Sequence, residues 1–129
     1  VDIIKVKKWF QSDLKTYNKI SKIVENAEIT NDTIAISIYE EIDKDANIVC
    51  AKAADELFTI SDITASFVIG KLGNKVCISG RSIGDINVQV VLEEIGGGGH
   101  MNMAGAKLHM PMNEAISLLK ESIARNMKE

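Results

Sequence analysis

The residues best suited to chemistry form one run, Gly96-Gly97-Gly98-Gly99-His100. Consecutive glycines carry no Cβ atoms, so a ligand can approach the main-chain N–H groups closely. The histidine that follows adds a ring, a hydrogen-bond donor and a charge that switches near neutral pH. This combination suits an anionic ligand that carries a ring, such as a nucleotide. The structural alternatives are a flexible linker or a helix C-cap, although a cap needs one glycine and linkers usually include Ser or Thr.

A second candidate anion site lies between Ser79 and Asn87, where a predicted strand ends and a glycine turn leads into a predicted helix. Arg81 offers a planar fork of donors that matches phosphate. The helix N-terminus adds free N–H groups and the positive end of the helix dipole. A surface arginine beside ordinary capping serines is the alternative. The glycine run follows the negative end of this helix, so anion affinity there must come from loop amides, His100 or Arg81.

The two candidate loops are close enough to serve one ligand. The helix between them separates them by about 15 Å along its axis, and the run from Gly96 to His100 spans up to about 17 Å when extended. The glycine loop can therefore fold back toward Arg81, or the two loops can hold different ends of one ligand. A dinucleotide suits either arrangement. A P-loop is excluded because the glycines follow the helix and no GK[ST] sequence is present.

Length and composition indicate one globular domain. The chain has 129 residues, of which 46% are hydrophobic and 26% charged, with a net charge of −3. That length allows a real core, and the acidic balance argues against a surface that grips long nucleic acid. Cys50 and Cys77 form no CxxC motif and lie in apolar segments, so we expect reduced core thiols in an intracellular protein. No apolar run is long enough to span a membrane.

Periodicity predicts an α/β fold. Apolar residues at intervals of three and four predict a long opening helix that ends near Asn26. Alternating and β-branched segments predict strands at 33–39, 64–69, 75–79 and 104–110, with a hairpin through 71–74. Further helices are expected at 45–57, at 86–95 with Ser82 or Asp85 as N-cap and Gly96 as C-cap, and after an Asn113 cap. Together they predict a mixed sheet of about four to five strands flanked by helices.

The sequence supplies no catalytic constellation that we can assemble. It has no HExxH motif, no Cys/His cluster and no nucleophile elbow. Asp43 and Asp45 form an isolated Asp-x-Asp motif in a polar loop, which is typical of solvated or helix-capping residues. A two-metal phosphodiesterase site needs several carboxylates and histidines. The chemistry that this chain can support is therefore ligand binding.

Three short motifs in order, from Ser79 to Ala106, resemble the DHHA1 domain, the substrate-binding partner of the DHH phosphoesterase domain. They are Ser79-Gly80-Arg81-Ser82, then Ile86-Asn87-Val88-Gln89, then Gly97-Gly98-Gly99-His100 with Ala104-Gly105. The Arg-Ser-x-Gly-x-Ile-Asn-Val-Gln element with four glycines is most similar to the membrane-anchored cyclic-di-AMP phosphodiesterases. The opening helix, with Trp9-Phe10-Gln11, resembles their connector after the DHH domain.

The resemblance implies two segments in this chain, a connector helix over residues 1–28 and a DHHA1 domain over 29–129. The chain starts at Val1 and not at Met, so we expect it to be a piece of a longer protein whose DHH domain is absent here. Two manganese ions are expected in that DHH domain, and no cofactor or metal ligand in this chain. The parent protein is expected to be anchored in a membrane with this domain in the cytoplasm.

The resemblance also implies which residues bind the ligand. Arg81 and His100 are expected to contact the phosphates or base of a nucleotide, with the glycine amides beside them. Two positions depart from the family pattern: Met103 replaces a small alanine and Lys107 replaces a common glutamine. Met103 is expected to narrow the pocket or move the base. The full expected set, none of it catalytic, is Ser79, Arg81, Ser82, Asn87, Gly97, Gly98, Gly99 and His100.

The implied function is to bind the substrate of a phosphodiesterase that hydrolyses cyclic-di-AMP to linear pApA. Two alternatives stay open: a DHHA1 part of a nanoRNase or RecJ-like exonuclease, and a non-catalytic nucleotide-sensing module. The acidic balance and His100 disfavour an RNA-binding accessory domain of a tRNA synthetase. The expected partners are a cyclic dinucleotide or short oligonucleotide and the DHH domain of the same chain, with no long nucleic acid. A homodimer is left open.

Overall fold

The computed structural model describes residues 3–83, 87–99 and 103–126, with side chains from residue 14 onward. Four helices and six strands are present in this part of the chain. The helices are α1 (Ile3–Glu25), α2 (Ala46–Phe58), α3 (Val88–Glu94) and α4 (Met112–Asn126). The strands are β1 (Glu28–Thr30), β2 (Ile34–Tyr39), β3 (Ala65–Leu72), β4 (Lys75–Ser82), β5 (Gly98–Gly99) and β6 (Met103–Leu108).

The strands form one mixed sheet in the order β1-β2-β3-β4-β6-β5. Strands β2 and β3 are parallel, joined by the α2 crossover, and the other neighbouring pairs are antiparallel. The predicted α/β architecture with a mixed sheet is confirmed. The sheet has six strands and not four or five, because β1 and β5 are edge strands of three and two residues. Strands that short carry too little alternation to be recognised in a sequence.

Strand β4 lies in the middle of the sheet and its side chains alternate between two cores. Val76 and Ile78 contact the core beneath α3 and α4, together with Phe67. Cys77 faces the opposite way, into the core beneath α1 and α2, where Val68 also lies. Because successive side chains of a strand point to opposite faces, Ser79 and Arg81 share the α2 face with Cys77.

The predicted β3–β4 hairpin is confirmed, and β4 is longer than predicted. Leu72 pairs with Lys75 across a two-residue turn, and Gly73 has a φ of 64°. Short hairpin turns need such a positive φ, which glycine adopts without strain. The strand continues three residues past Ser79 to Ser82, so Arg81 lies within the sheet and not in a loop after it.

Two predicted helix caps were wrong. Asn87 is the N-cap of α3, and its side chain accepts a hydrogen bond from the Val90 N–H at 3.3 Å. Ser82 is not the cap, although its hydroxyl accepts from the Val88 N–H at 3.2 Å, and Asp85 lies outside the described residues. Helix α4 begins at Met112, so Asn113 lies in its first turn. Before α3 the sequence offered several polar residues, and spacing alone did not select between them. Before α4, Asn113 was the one capping residue type near the helix start, but the helix begins one residue earlier.

Helix α1 ends at Glu25, close to the end predicted for the opening helix. Its last turns bury Ile20 and Ile23 in the core that α2 also covers. An ion pair of 2.9 Å between Lys19 and Asp43 ties α1 to the segment that precedes α2. Among the described helices, none is both long enough and apolar enough to cross a membrane.

Candidate functional site: a groove beside the glycine strand

The first glycine of the run terminates helix α3. Gly96 has a φ of 108°, and its N–H donates to the Glu93 carbonyl at 3.1 Å. The Gly97 N–H donates to the Leu92 carbonyl at 2.6 Å. This pair of bonds is a Schellman motif, which satisfies the last helix carbonyls. The predicted cap at Gly96 is therefore confirmed, and the amides of Gly96 and Gly97 are already used by the helix end.

The remaining glycines differ in what a side chain would meet. At Gly97, an added Cβ would lie 2.7 Å from the Ala106 Cβ, and at Gly99 it would lie 2.6 Å from the Ala104 Cα. Gly99 also has a φ of 142°, which an L side chain rarely adopts. At Gly98, an added Cβ would meet nothing within 4 Å. Three of the four glycines thus have a structural role, and Gly98 is the one whose bare face opens to the surroundings.

That open face continues a row of residues across the sheet. Gly98 pairs with Gly105, and Gly105 pairs with Ser79 of β4. A groove of about 470 Å³ runs over this row on the α2 face of the sheet. Its lining residues are Asn47, Cys77, Ile78, Ser79, Gly96, Gly97, Gly98, Gly105, Ala106 and Lys107. The structure therefore brings the predicted residues Ser79, Gly97 and Gly98 together in one groove.

Arg81 does not line this groove, because its side chain packs against α2. The Nε donates to Asp55 Oδ1 at 2.6 Å, the Nη1 to the Gly80 carbonyl at 2.8 Å and the Nη2 to the Ala51 carbonyl at 3.5 Å. The Arg81 side chain is 10% exposed and that of Asp55 is 58% exposed. The neighbouring Met103 pairs with Arg81 in register and is half exposed. Met103 is not among the residues that line the groove.

Two predicted site residues lie on the other face of the sheet, at the start of α3. Ser82 is buried, and its hydroxyl and the Asn87 side chain accept hydrogen bonds from N–H groups in the first turn of α3. These two N–H groups are the ones that the sequence had suggested for an anion. The role of Ser82 and Asn87 as ligand contacts stays a prediction. His100 lies outside the described residues, and its role stays a prediction as well.

Gly99, the last residue of β5, lies at the same end of the sheet as Arg81, as the strand register shows. Gly99 pairs with Ala104, and Ala104 pairs with Gly80, the residue before Arg81. Neighbouring strands are about 4.8 Å apart, so two strand spacings place Gly99 about 10 Å from β4. The glycine segment therefore turns back toward Arg81, which is one of the two arrangements that the sequence left open.

The groove also contains polar residues that the sequence analysis did not select. Lys107 pairs with Cys77 in register and supplies a positive charge, and Asn47 of α2 adds an amide. Arg81 and Cys77 are four residues apart on β4, which is about 13 Å. Lys107 therefore lies on one side of the row Gly98, Gly105 and Ser79, and Arg81 lies on the other side, along the strand direction. Asn47, Ala51 and Asp55 follow one another at intervals of four residues, which places them on one face of helix α2. This spacing was the sequence signal that could have linked them to the site.

The cysteines are free and buried, as predicted for core thiols. Cys50 of α2 packs over Gly70, where an added Cβ would lie 2.6 Å from the Cys50 Sγ. The Cys77 Sγ lies 3.5 Å from the Gly70 carbonyl oxygen, within hydrogen-bond distance. The hydrogen bond to Cys77, with burial, raises the pKa of the Cys50 thiol. Cys50 therefore stays protonated and acts as a packing residue.

The Asp43 carboxylate, in the loop before α2, connects this loop to α1 and β2. Asp43 accepts hydrogen bonds from the Asp45 N–H at 2.9 Å, from the Tyr39 hydroxyl at 2.7 Å and from Lys19 at 2.9 Å. These bonds, with the Asp45 N–H foremost, lower the pKa of Asp43 to about 2. Burial and the Asp43 carboxylate raise the pKa of Tyr39. In the described part of the chain, no group of three His, Cys, Asp or Glu side chains is placed to hold a metal ion.

The structure is an α/β domain with an open groove beside a short glycine strand. The model of the DHHA1 domain matches residues 31–129 of this sequence, which is more than half of the chain. The chain therefore belongs to the DHHA1 domain family, as its motifs predicted.

Two relatives are cyclic-di-AMP phosphodiesterases by name. One, from Geobacillus thermodenitrificans, is 41% identical over 124 residues, which cover 95% of this chain and 19% of the relative. The other, from Listeria monocytogenes, is 39% identical over 108 residues, which cover 83% of this chain and 16% of the relative. The chain thus spans less than a fifth of the length of these relatives.

A solved structure supports the fold. An exopolyphosphatase-related protein from Bacteroides fragilis superposes with a TM-score of 0.75 at 17% identity. The superposition covers 85% of this chain and 34% of the other chain. At this identity the likeness concerns the fold alone.

Proposed function

We propose that this chain is the nucleotide-binding DHHA1 domain of a cyclic-di-AMP phosphodiesterase. In the parent protein, two manganese ions held by a separate DHH domain would supply the hydrolysis of cyclic-di-AMP to pApA. This chain would bind the dinucleotide and orient it, which is catalysis by positioning. The parent is proposed to be membrane-anchored with this domain in the cytoplasm.

The observation that carries the proposal is the open face of Gly98. Gly98 and Gly105 leave bare backbone beside the small side chain of Ser79 on the α2 face, under a groove of about 470 Å³. That volume is within the range of small-molecule sites. A flat sheet surface with bare backbone can accept a planar base or a sugar-phosphate edge. Gly98 and Gly99 form the edge strand β5, so their main-chain groups lie near the proposed ligand. The similarity to two relatives named as cyclic-di-AMP phosphodiesterases supports a cyclic dinucleotide as the ligand.

Charge supports a ligand with more than one phosphate. Lys107 lies on one side of the row Gly98, Gly105 and Ser79, and Arg81 lies on the other side, about 13 Å away along the strands. In the proposed complex each cation is close to one phosphate of the dinucleotide. His100, which follows Gly99 in the sequence, would hydrogen-bond a phosphate or stack on adenine.

The test is an NMR titration of the isotope-labelled chain with cyclic-di-AMP, linear pApA and AMP. We expect amide shifts at Ser79, Gly98 and Lys107, with cyclic-di-AMP the strongest ligand and AMP the weakest. A preference for pApA would instead favour the nanoRNase or exonuclease alternative. Shifts confined to residues away from the groove, or none at millimolar ligand, would refute the proposal for this chain.

Matched charge variants sharpen this experiment. Lys107→Gln and Lys120→Gln remove the same charge, but Lys120 is on α4, where its nearest ion partner is Glu28 at 4.0 Å. We expect Lys107→Gln to weaken cyclic-di-AMP binding about five-fold, in line with loss of one partly screened ion contact. Lys120→Gln should bind as the original chain does. Equal effects of the two variants would mean that only overall charge matters.

A further inference from the structure

Arg81 has an environment that its proposed contact with phosphate does not explain. Its guanidinium has five N–H groups, and three of them donate to Asp55, the Gly80 carbonyl and the Ala51 carbonyl. The Nε hydrogen is one of the three, so the two N–H groups that remain are on the two Nη nitrogens. Three anchors fix the plane of the guanidinium before any ligand arrives.

Asp55 is the charged member of these three anchors. Its Oδ1 accepts from the Arg81 Nε at 2.6 Å, which is the short distance of a charge-assisted bond. Arg81 is 8% exposed, and a buried cation needs a counter-ion to stay in place. The Gly80 and Ala51 carbonyls are neutral. Asp55 therefore supplies the charge that keeps the guanidinium inside the fold and not in solvent.

We propose that Asp55 is a positioning residue that holds the Arg81 guanidinium, through its Nε, in the orientation that binds a ligand phosphate. This inference rests on the proposed function, because it assigns a second residue to the phosphate contact. Asp55 itself does not touch the ligand. The 2.6 Å contact uses one carboxylate oxygen and only the Nε edge. Two N–H groups on the Nη nitrogens therefore have no acceptor among the described residues, and they can donate to a phosphate. Without Asp55, Arg81 would lose its fixed orientation.

The experiment is a double-mutant cycle in the 129-residue chain, with cyclic-di-AMP affinity measured by calorimetry. The variants are Asp55→Asn, Arg81→Gln and the two combined. Asp55→Asn keeps the shape of the side chain but removes its charge, and we expect affinity to fall about tenfold. In the Arg81→Gln background, the same change should have no further effect, because residues that act through one contact are not additive.

Two controls separate positioning from a general effect on the fold. Glu56→Gln removes an equal charge from the next position of α2 and should leave affinity unchanged, and Asp55→Glu should restore part of the lost affinity. The NMR signal of the Arg81 Nε–H should shift in Asp55→Asn, which a structural role elsewhere in α2 would not cause. Thermal unfolding of each variant shows whether it remains folded.

The outcomes distinguish this inference from the proposed function. Unchanged or tighter binding by Asp55→Asn would overturn the inference, as would an equal loss in both Arg81 backgrounds. If Arg81→Gln binds normally while Gly98→Ala does not, the groove stands and the roles of Arg81 and Asp55 both fall. If the original chain shows no binding, the proposed function itself has failed for this chain.

Discussion

Gly98→Ala is the substitution that best separates binding from folding in the glycine run. An alanine Cβ at this position meets nothing within 4 Å, and Gly98 is not among the glycines with positive φ. The new methyl group should therefore cost the fold nothing. Replacing glycine by alanine at a compatible position reduces the entropy of the unfolded chain and thereby stabilises the folded state by about 0.4–1 kcal/mol. We expect Gly98→Ala to be as stable as the original chain or slightly more stable.

The same methyl group should interfere with a ligand in the groove. It would project over the row of Gly105 and Ser79, where the proposed dinucleotide lies against bare backbone. Forcing one extra methyl group into a packed contact costs about 1–3 kcal/mol. That cost corresponds to a loss of affinity of about five-fold to more than 100-fold. Gly105→Ala, whose Cβ would lie 3.3 Å from the Ile78 carbonyl, adds a methyl group on the groove floor and should weaken binding similarly.

Gly99→Ala provides the contrast. Its added Cβ would lie 2.6 Å from the Ala104 Cα, and its φ of 142° strains any L residue. We expect this variant to lose about 2–3 kcal/mol of stability, combining backbone strain and overpacking. Loss of binding in Gly99→Ala would then have a structural cause, whereas loss in Gly98→Ala would not.

The assay pairs urea unfolding, followed by circular dichroism, with calorimetric titration of cyclic-di-AMP. The reasoning predicts that Gly98→Ala keeps its unfolding free energy and loses most of its affinity. Wild-type affinity in Gly98→Ala would mean that the ligand does not lie on the open face of the edge strand. A stability loss above about 1 kcal/mol would mean that Gly98 packs more tightly than 4 Å of open space allows.

Three further predictions concern stability. Gly70→Ala should lower the free energy of unfolding by about 1–3 kcal/mol, because its Cβ would lie 2.6 Å from the Cys50 Sγ. In a double-mutant cycle measured by urea unfolding, Cys50→Ala should remove most of that loss. Asp43→Asn should remove about 1 kcal/mol of stability at pH 7, after allowance for solvent screening. Because the folded pKa of Asp43 is lowered to about 2, the original chain should lose this contribution as the pH falls from about 4 to 2, while the variant shows a flatter profile in acid titration. Ser122→Ala should cost about 1 kcal/mol in thermal unfolding, since the buried Ser122 hydroxyl donates to the Val91 carbonyl at 2.8 Å; no change would show that the bond between α4 and α3 contributes nothing.

The sequence predicted the elements that have a strong period. Alternation marked β2 and β3, three-and-four spacing marked α1, and turn residues marked the β3–β4 hairpin at Gly73. These patterns arise because one face of each element is buried, and burial repeats with the geometry of the backbone. The two-residue strand β5 has no such repeat, so the edge of the sheet was missed.

The glycine run shows where sequence reasoning on the site ends. Bare backbone was expected along the whole run, and Gly96 was also expected to cap the helix, as it does. Gly97 and Gly99, however, allow close approach to β6. Those requirements come from a strand that follows in the chain, and the identity of the glycine does not report them. Only the packed structure separates Gly98 from its neighbours.

The contact of Arg81 with Asp55 was beyond prediction for a different reason. The two residues are 26 positions apart, and many carboxylates of the chain were equally available as partners. The pairing follows from the crossover that places α2 over β4, a property of the whole sheet. Arg81 was expected at a strand end, and the longer β4 turned it toward α2.

Strand β4 divides its residues between two tasks. Ser79 and Arg81 lie on the α2 face, where Ser79 lines the groove. Ile78 and Gly80 face the core beneath α3 and α4, where an added Cβ at Gly80 would lie 3.2 Å from the Phe67 ring. Evolution can therefore exchange side chains on one face while the other preserves the hydrophobic packing. A scaffold with this division can acquire new ligand preferences through few substitutions, with the same topology retained across proteins that act on different molecules.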